Sequence, residues 1–300
     1  MIKIATDFHK ELLKKFPHSP TLKQGQLLNL LSNFIFKTDK DALFLLKGYA
    51  GTGKTTTIST FVNSLSLANK KAVLLAPTGR AAKVIAIYSK RPAFTIHKKI
   101  YFPKKQTNGS VDFVLQPNKH RNTVFIVDEA SMIPDSKQNQ KLFETGSLLE
   151  DLISYVYSGV NCKLIFIGDT AQLPPVKLNI SPALEQDTLY YDYNKNVTEI
   201  ELDEVMRQHE DSGILANATI LRLLIQNEAT NFKFNINFPD IIRLEDGYDI
   251  EDALVTAYEN EGVEDTAFIV RSNKRANEYN QQIRMKIRGQ ENEISAGDYI

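Results

Sequence analysis

Residues 43 to 60 read LFLLKGYAGTGKTTTIST: an apolar run, a cluster of glycines, then a stretch of helix-compatible residues. Few features restrict a fold more tightly, because an apolar strand, a glycine-rich turn and a helix in that order specify one β-α unit of a parallel sheet. Gly48, Gly53, Lys54 and Thr55 satisfy G-x-x-x-x-G-K-[ST]. The helix after the turn is marked by Ile58, Phe61, Val62 and Leu65 at i, i+3, i+4, i+7 spacing.

The spacing has a chemical reason. Glycines let the backbone curl until successive N–H groups, here those of Ala50, Gly51, Thr52, Gly53, Lys54, Thr55 and Thr56, point at a phosphate lying on the helix N-terminus. Lys54 then bridges the β- and γ-phosphates of a nucleoside triphosphate, and the Thr55 hydroxyl supplies a ligand to Mg²⁺. A nucleoside triphosphate and Mg²⁺ are therefore the expected ligands. The partner carboxylates belong at the tip of a neighbouring strand, and TVFIVDEASM places Asp128 and Glu129 directly after five apolar residues. Asp128 is expected to hold the metal and Glu129 to polarise the attacking water.

Apolar runs near residues 42, 71, 123 and 163, separated by helical patterns, predict an α/β fold: a P-loop parallel sheet covered by helices. A further helix is expected around Leu148, Leu149, Leu152, Ile153 and Val156. Asn108-Gly109, between short alternating runs, predicts a tight β-hairpin inserted at about residues 98–121. That insert carries Lys98, Lys99, Lys104, Lys105, Lys119 and Arg121 against the single acid Asp112, although the whole chain balances 36 basic with 36 acidic residues. Between Glu245 and Asp265 lie nine acids and no Lys or Arg, so a polyanion would approach the first segment and avoid the second. The stretch DSKQNQKLFETGS after Pro134 reads as a mobile loop. TAFIVRS from Thr266, followed by the helical NKRANEYNQQIRMKI, reads as the start of a second α/β unit, giving domains of 1–203 and 204–300. Cys162 is the only cysteine, which excludes an intrachain disulfide, and no zinc site is expected. The apolar runs are short and the first residues are charged, so a cytosolic chain without membrane segments is expected.

Four more stretches decide what the triphosphate drives: APTGRAA (Ala76 to Ala82), TIH (Thr95 to His97), GDTAQLPPV (Gly168 to Val176) and LDEVMRQ (Leu202 to Gln208). In order and spacing, together with the P-loop and VDEASM, they resemble the RecD/Dda-like branch of superfamily 1 DNA helicases. The resemblance runs from about Thr21 to Arg284. It implies two RecA-like domains, the second incomplete here, and ATP hydrolysis coupled to 5′-to-3′ movement on single-stranded DNA and opening of a duplex fork. It further implies that Pro77, Thr78, Gly79, Thr95 and His97 grip the strand, that Gln172 senses the γ-phosphate, and that Arg207 reaches it across the cleft. Gln26 resembles the adenine-reading glutamine, with Gln24 a close competitor. Asn273 and Lys274, with Asn280 and Arg284 behind them, are the second domain's candidate strand contacts. The hairpin takes the place of the fork wedge, with Tyr101, Phe102 or Phe113 as its stacking residue. The family's last two motifs are absent from these 300 residues, so slow hydrolysis and poor unwinding are expected of this chain. An RNA-directed superfamily 1 helicase and an ATP-regulated DNA-binding module without productive catalysis are the alternatives.

Overall fold

The computed structural model describes residues 2–105, 111–135, 147–204, 212–227, 229, 231–263 and 265–290; the side chains of Lys105, Val111, Asp112 and Gln226 are not described. The chain divides into two compact units, Met1–Glu210 and Asp211–Ile300.

The first unit opens with two helices, α1 (Ala5–Lys15) and α2 (Leu22–Phe36). Thr21 starts α2 through a reciprocal capping box: its hydroxyl accepts from Gln24 N, and Gln24 Oε1 accepts from Thr21 N at 3.1 Å. The chain then alternates as the apolar runs predict: β1 (Ala42–Gly48), α3 (Lys54–Ser64), β2 (Lys71–Ala76), α4 (Gly79–Ser89), β3 (Ala93–Thr95) and α5 (Ile96–Ile100). An antiparallel pair follows, β4 (Tyr101–Lys105) with β5 (Val111–Leu115), and then β6 (Thr123–Val127), α6 (Leu148–Tyr157), β7 (Lys163–Gly168), α7 (Gln186–Tyr191) and β8 (Asn196–Leu202). Six of these strands form one parallel sheet in the order β3-β2-β6-β7-β1-β8.

Alternation along each strand divides the core between the two faces of the sheet. Phe44, Leu46, Ile126, Ile165 and Ile167 join Phe8, Leu12, Leu28, Leu31 and Phe61 from α1, α2 and α3. Leu43, Leu45, Phe125, Val127, Leu164 and Phe166 join Leu149, Leu152, Val156 and Ile100 from α6 and α5. Because both faces are covered, the strands read as continuous apolar runs, which is why β1, β2, β6 and β7 were legible. β3 and β8 were not. β3 has three residues, and β8 is an edge strand whose NVTEIEL mixes charge into the run.

The hairpin arms are present, with Phe102 paired to Val114 and Pro103 to Phe113, while the turn at Asn108-Gly109 lies outside the described residues. Most of the DSKQNQKLFETGS stretch also lies outside them.

The second unit contains α8 (Gly213–Gln226), α9 (Gly247–Asn260) and α10 (Asn273–Gln282), the last running into a π-turn at Ile283–Ile287. The strand expected from Thr266 is not formed. Residues 266–270 alternate between half-buried and exposed, as an extended segment does, and Ile269 is 91% exposed. A parallel strand needs a ladder partner, and none occurs among the described residues of this unit. No helix among the described residues is long and apolar enough to cross a membrane.

Candidate nucleotide and nucleic-acid site

A parallel sheet collects the carboxyl ends of its strands on one edge, and ligands of such folds sit outside that edge. Here β1 delivers the glycine loop, β6 the Asp128-Glu129 pair and β7, between them, the GDTAQLPPV segment. Next along the edge, β2 and β3 deliver Thr78 and Thr95.

The loop needs its glycines for different reasons. Gly53 has φ 83° and Gly51 φ 78°, the left-handed region that favours a residue without Cβ. Gly48 needs space: a Cβ there would lie 2.8 Å from the Leu202 carbonyl oxygen on β8. Buried Thr52 ties the turn together, its hydroxyl donating to Tyr49 O at 2.8 Å. Lys54 Nζ donates to the carbonyls of Gly48 and Tyr49, the latter at 2.7 Å, which holds the ammonium above the loop. Thr55 is exposed and Thr56 half-buried at the start of α3.

The two glutamines near the loop have different environments. Gln24 is buried and its Nε2 donates to Thr52 O at 3.1 Å, so its amide braces the loop from α2. Gln26, two residues later, is exposed.

Lys54, Thr55 and Asp128 line one small cleft, with Ile58, Ile85 and Tyr88 among its other walls. Burial raises the Asp128 pKa, offset in part by the Glu129 N–H donated to its Oδ1 at 3.0 Å and by the Lys54 charge. Glu129 has φ 55°, which turns its side chain out of the strand line before a 3₁₀ turn at Ala130–Met132. Its pKa is also raised, first by burial and then by the Asp128 charge, with Asp169 adding to the shift; Lys54 and a hydrogen bond from Gln172 oppose it. Gln172 also accepts from the Ser131 hydroxyl at 3.3 Å. Gln172 is thereby tied to the 3₁₀ turn that follows the Asp-Glu pair.

Asp128→Asn is expected to raise the thermal midpoint in metal-free buffer at pH 7, by on the order of 1 kcal/mol of stability. With its pKa raised on folding, Asp128 binds its proton more tightly folded than unfolded, so its ionised form costs stability above the folded value. That cost disappears below the ordinary carboxylate value of 3.8. The gain from Asn should therefore shrink as pH falls through this window. A gain independent of pH would contradict the assignment.

The candidate strand contacts are built as helix starts. Thr78 caps α4, accepting from Ala81 N at 3.2 Å, and Thr95 caps α5, accepting from Lys98 N at 3.2 Å. Both hydroxyls keep a proton to donate. Their strands are neighbours in register, Ala76 opposite Thr95. Pro77 is half-buried and Gly79 is exposed, with no atom within 4 Å of where its Cβ would lie. His97 lies in the first turn of α5, 5.9 Å from the Tyr101 ring, and desolvation pushes its imidazole below the usual value. Tyr101 is buried and donates to Asp151 Oδ2 at 2.6 Å, so it anchors the hairpin; Phe102 and Phe113 are the exposed aromatics. In the second unit, Asn273 and Lys274 are exposed in the first turn of α10, which Ser272 caps, with Asn280 exposed one face-repeat later and Arg284 in the π-turn. Arg207 lies outside the described residues.

Sequence reasoning missed Asp169, Ser131 and Ser181. Asp169 is buried and follows a β-run as Asp128 does, accepting from Ala171 N at 2.9 Å, so the same acid-after-strand signal marks it. Ser181, also buried, donates towards the carbonyls of Ala130 and Ile133 at 2.9 and 2.7 Å, bracing the 3₁₀ turn. No sequence pattern marks it.

The sheet order, the glycine loop and the acid pair beside it define a P-loop nucleotide-binding domain of the α/β class. A family model described as an AAA domain matches residues 34–230, and the chain belongs to that family. Over 135 residues it is 32% identical to the ATP-dependent RecD2 DNA helicase of Deinococcus radiodurans, covering 45% of this chain and 16% of that protein. Over 248 residues it is 27% identical to the RecBCD enzyme subunit RecD of Buchnera aphidicola, covering 72% and 35%. Over 170 residues it is 30% identical to the ATP-dependent DNA helicase dda of Enterobacteria phage T4, covering 55% and 34%. These relatives support the resemblance to the RecD/Dda-like branch, and the chain spans about a third or less of their lengths.

Proposed function

We propose that the chain is the ATP-hydrolysing motor region of a DNA helicase or translocase that acts on single-stranded DNA. The observation that carries the reading is the one cleft that Lys54, Thr55 and Asp128 line together, with Glu129 next to Asp128 at the end of β6. Relatives named as ATP-dependent DNA helicases support DNA as the polymer.

In this reading the loop N–H groups and Lys54 hold the phosphates, and Gln26 contacts the base. Asp128 and Thr55 fit Mg²⁺: both line the cleft, and one Asp128 oxygen is already committed to Glu129 N, leaving the other for an ion that needs few protein ligands. When bound, that ion neutralises phosphate charge. Glu129 takes the proton of the attacking water, and Gln172 stands where loss of the terminal phosphate changes its hydrogen bonds. Arg207 supplies a second cation at that phosphate. Pro77, Thr78, Gly79, Thr95 and His97 hold the strand backbone on the β2–β3 side, and Asn273 and Lys274 are the second unit's own strand contacts.

ATP turnover measured with and without a single-stranded DNA oligonucleotide, and with RNA of the same sequence as competitor, tests the proposal. Basal turnover should be slow, should respond to DNA in preference to RNA, and should vanish in Lys54→Ala. Wild-type turnover no greater than that of Lys54→Ala would overturn it, as would an equal response to RNA.

A further inference from the structure

Gln172 is exposed, and so are Leu173 and Val176 just after it, at 89% and 87%. Its backbone has a local anchor, the Gln172 N–H donated to Asp169 O at 3.3 Å, but backbone anchoring does not orient a side-chain amide. An exposed glutamine samples many rotamers and either of two amide orientations. Something must choose one if this residue is to report on a phosphate.

The hydrogen bonds around it make that choice. A glutamine amide accepts through Oε1 and donates through Nε2, so holding one end fixes where the other points. The carbonyl end, Oε1, faces Ser131, whose hydroxyl lies 3.3 Å away and donates. Ser131 is 2% exposed, so its hydroxyl has no bulk water to turn to. The 3₁₀ turn fixes where that hydroxyl sits, through Met132 N to Glu129 O and Ile133 N to Ala130 O, both at 3.1 Å. Ser181 locks the same turn from the segment that follows Gln172 in the chain.

We propose that Ser131 is a positioning residue for hydrolysis: by donating to Gln172 Oε1 it fixes the amide so that Nε2 bridges Glu129 and the terminal phosphate or attacking water. The proposal rests on the ATP-hydrolysing reading of this site and adds to it a residue outside the phosphate cradle and the acid pair. Ser131 touches no substrate. Its effect passes through Gln172, so it should appear in the rate of the chemical step and leave nucleotide affinity unchanged.

The test uses the 300-residue chain and the variants Ser131→Ala, Ser131→Cys, Gln172→Ala and the Ser131→Ala/Gln172→Ala double. Cysteine keeps the volume but is a poor donor. Single-turnover hydrolysis should fall about 10-fold in both Ser131 variants, a loss in the range of a misaligned catalytic contact, with ATP affinity within twofold of wild type. The double variant should be no slower than Gln172→Ala alone. A wild-type rate in Ser131→Ala or Ser131→Cys would overturn the proposal, as would full additivity in the double. A second readout needs no turnover. The Gln172 side-chain NH₂ resonances, assigned by their loss in Gln172→Ala, should shift and approach each other in Ser131→Ala at unchanged backbone dispersion. Unshifted resonances would overturn the role of Ser131 even if the wild-type chain proved unable to hydrolyse ATP, an outcome that would refute the ATPase reading separately.

Discussion

Glu129→Gln is expected to bind ATP as the wild type does and to hydrolyse it about 10²- to 10⁴-fold more slowly, the usual contribution of a positioned general base. The side chain keeps its size and its place at the left-handed turn after β6, while the neutral amide loses the negative charge and with it the capacity to take a proton. Removing a negative charge from beside Asp128 and Asp169 relieves repulsion, so affinity should not fall. The wild-type pH profile carries the same signature. Burial and the neighbouring carboxylates raise the Glu129 pKa above the ordinary 4.5, so the base is lost by protonation at a higher pH than an exposed glutamate would allow. The acid limb should lie above that value and flatten in Glu129→Gln. Single-turnover hydrolysis across pH, with affinity measured separately, checks both points. An unchanged rate in the variant would remove Glu129 from the chemistry.

Phe125→Ala should have the largest effect on stability, about 3–5 kcal/mol. Phe125 is fully buried on β6, with the His120 ring 5.2 Å and the Tyr155 ring 5.9 Å away, both edge-on. Deleting the ring opens a cavity between β6 and α6 that strands hydrogen-bonded on both sides cannot close. A domain has only about 5–15 kcal/mol in total. The urea midpoint should drop accordingly, and nucleotide affinity should drop with it, since Asp128 stands three residues further along the same strand line. A loss under 1 kcal/mol would mean that the core repacks freely around β6.

The first unit was legible largely because its strands are covered on both faces. LFLL, AVLLA, VFIV and LIFI announce themselves as apolar runs, and the phosphate loop, Asp128, Glu129 and Gln172 follow from what stands at their ends. The helix at Leu148–Tyr157 was equally plain from its spacing. The edges were harder. β8 carries Glu199, which pairs through one carboxylate oxygen with Lys47 of β1 at 2.9 Å, so the charge within the run meets an opposite charge on the neighbouring strand. TAFIV has the composition of a strand but no partner, and composition does not reveal whether a ladder exists. Within the site, Gln24 and Gln26 look alike in the sequence, and only the turn of the helix makes one buried against the loop and the other exposed. The cap roles of Thr78 and Thr95 were equally hidden, since a threonine that starts a helix and one that meets a phosphate look identical in the sequence.

The strand order also sets a timetable for biosynthesis. β1 carries the glycine loop and lies between β7 and β8, so it emerges from the ribosome with neither neighbour made and waits until Leu202 has been translated before both sides are hydrogen-bonded. Such distant parallel pairing slows folding and leaves an apolar strand with open edges in the nascent chain. Until Leu202 has been made, both edges of the strand that ends in the phosphate loop are therefore open to pairing with other chains.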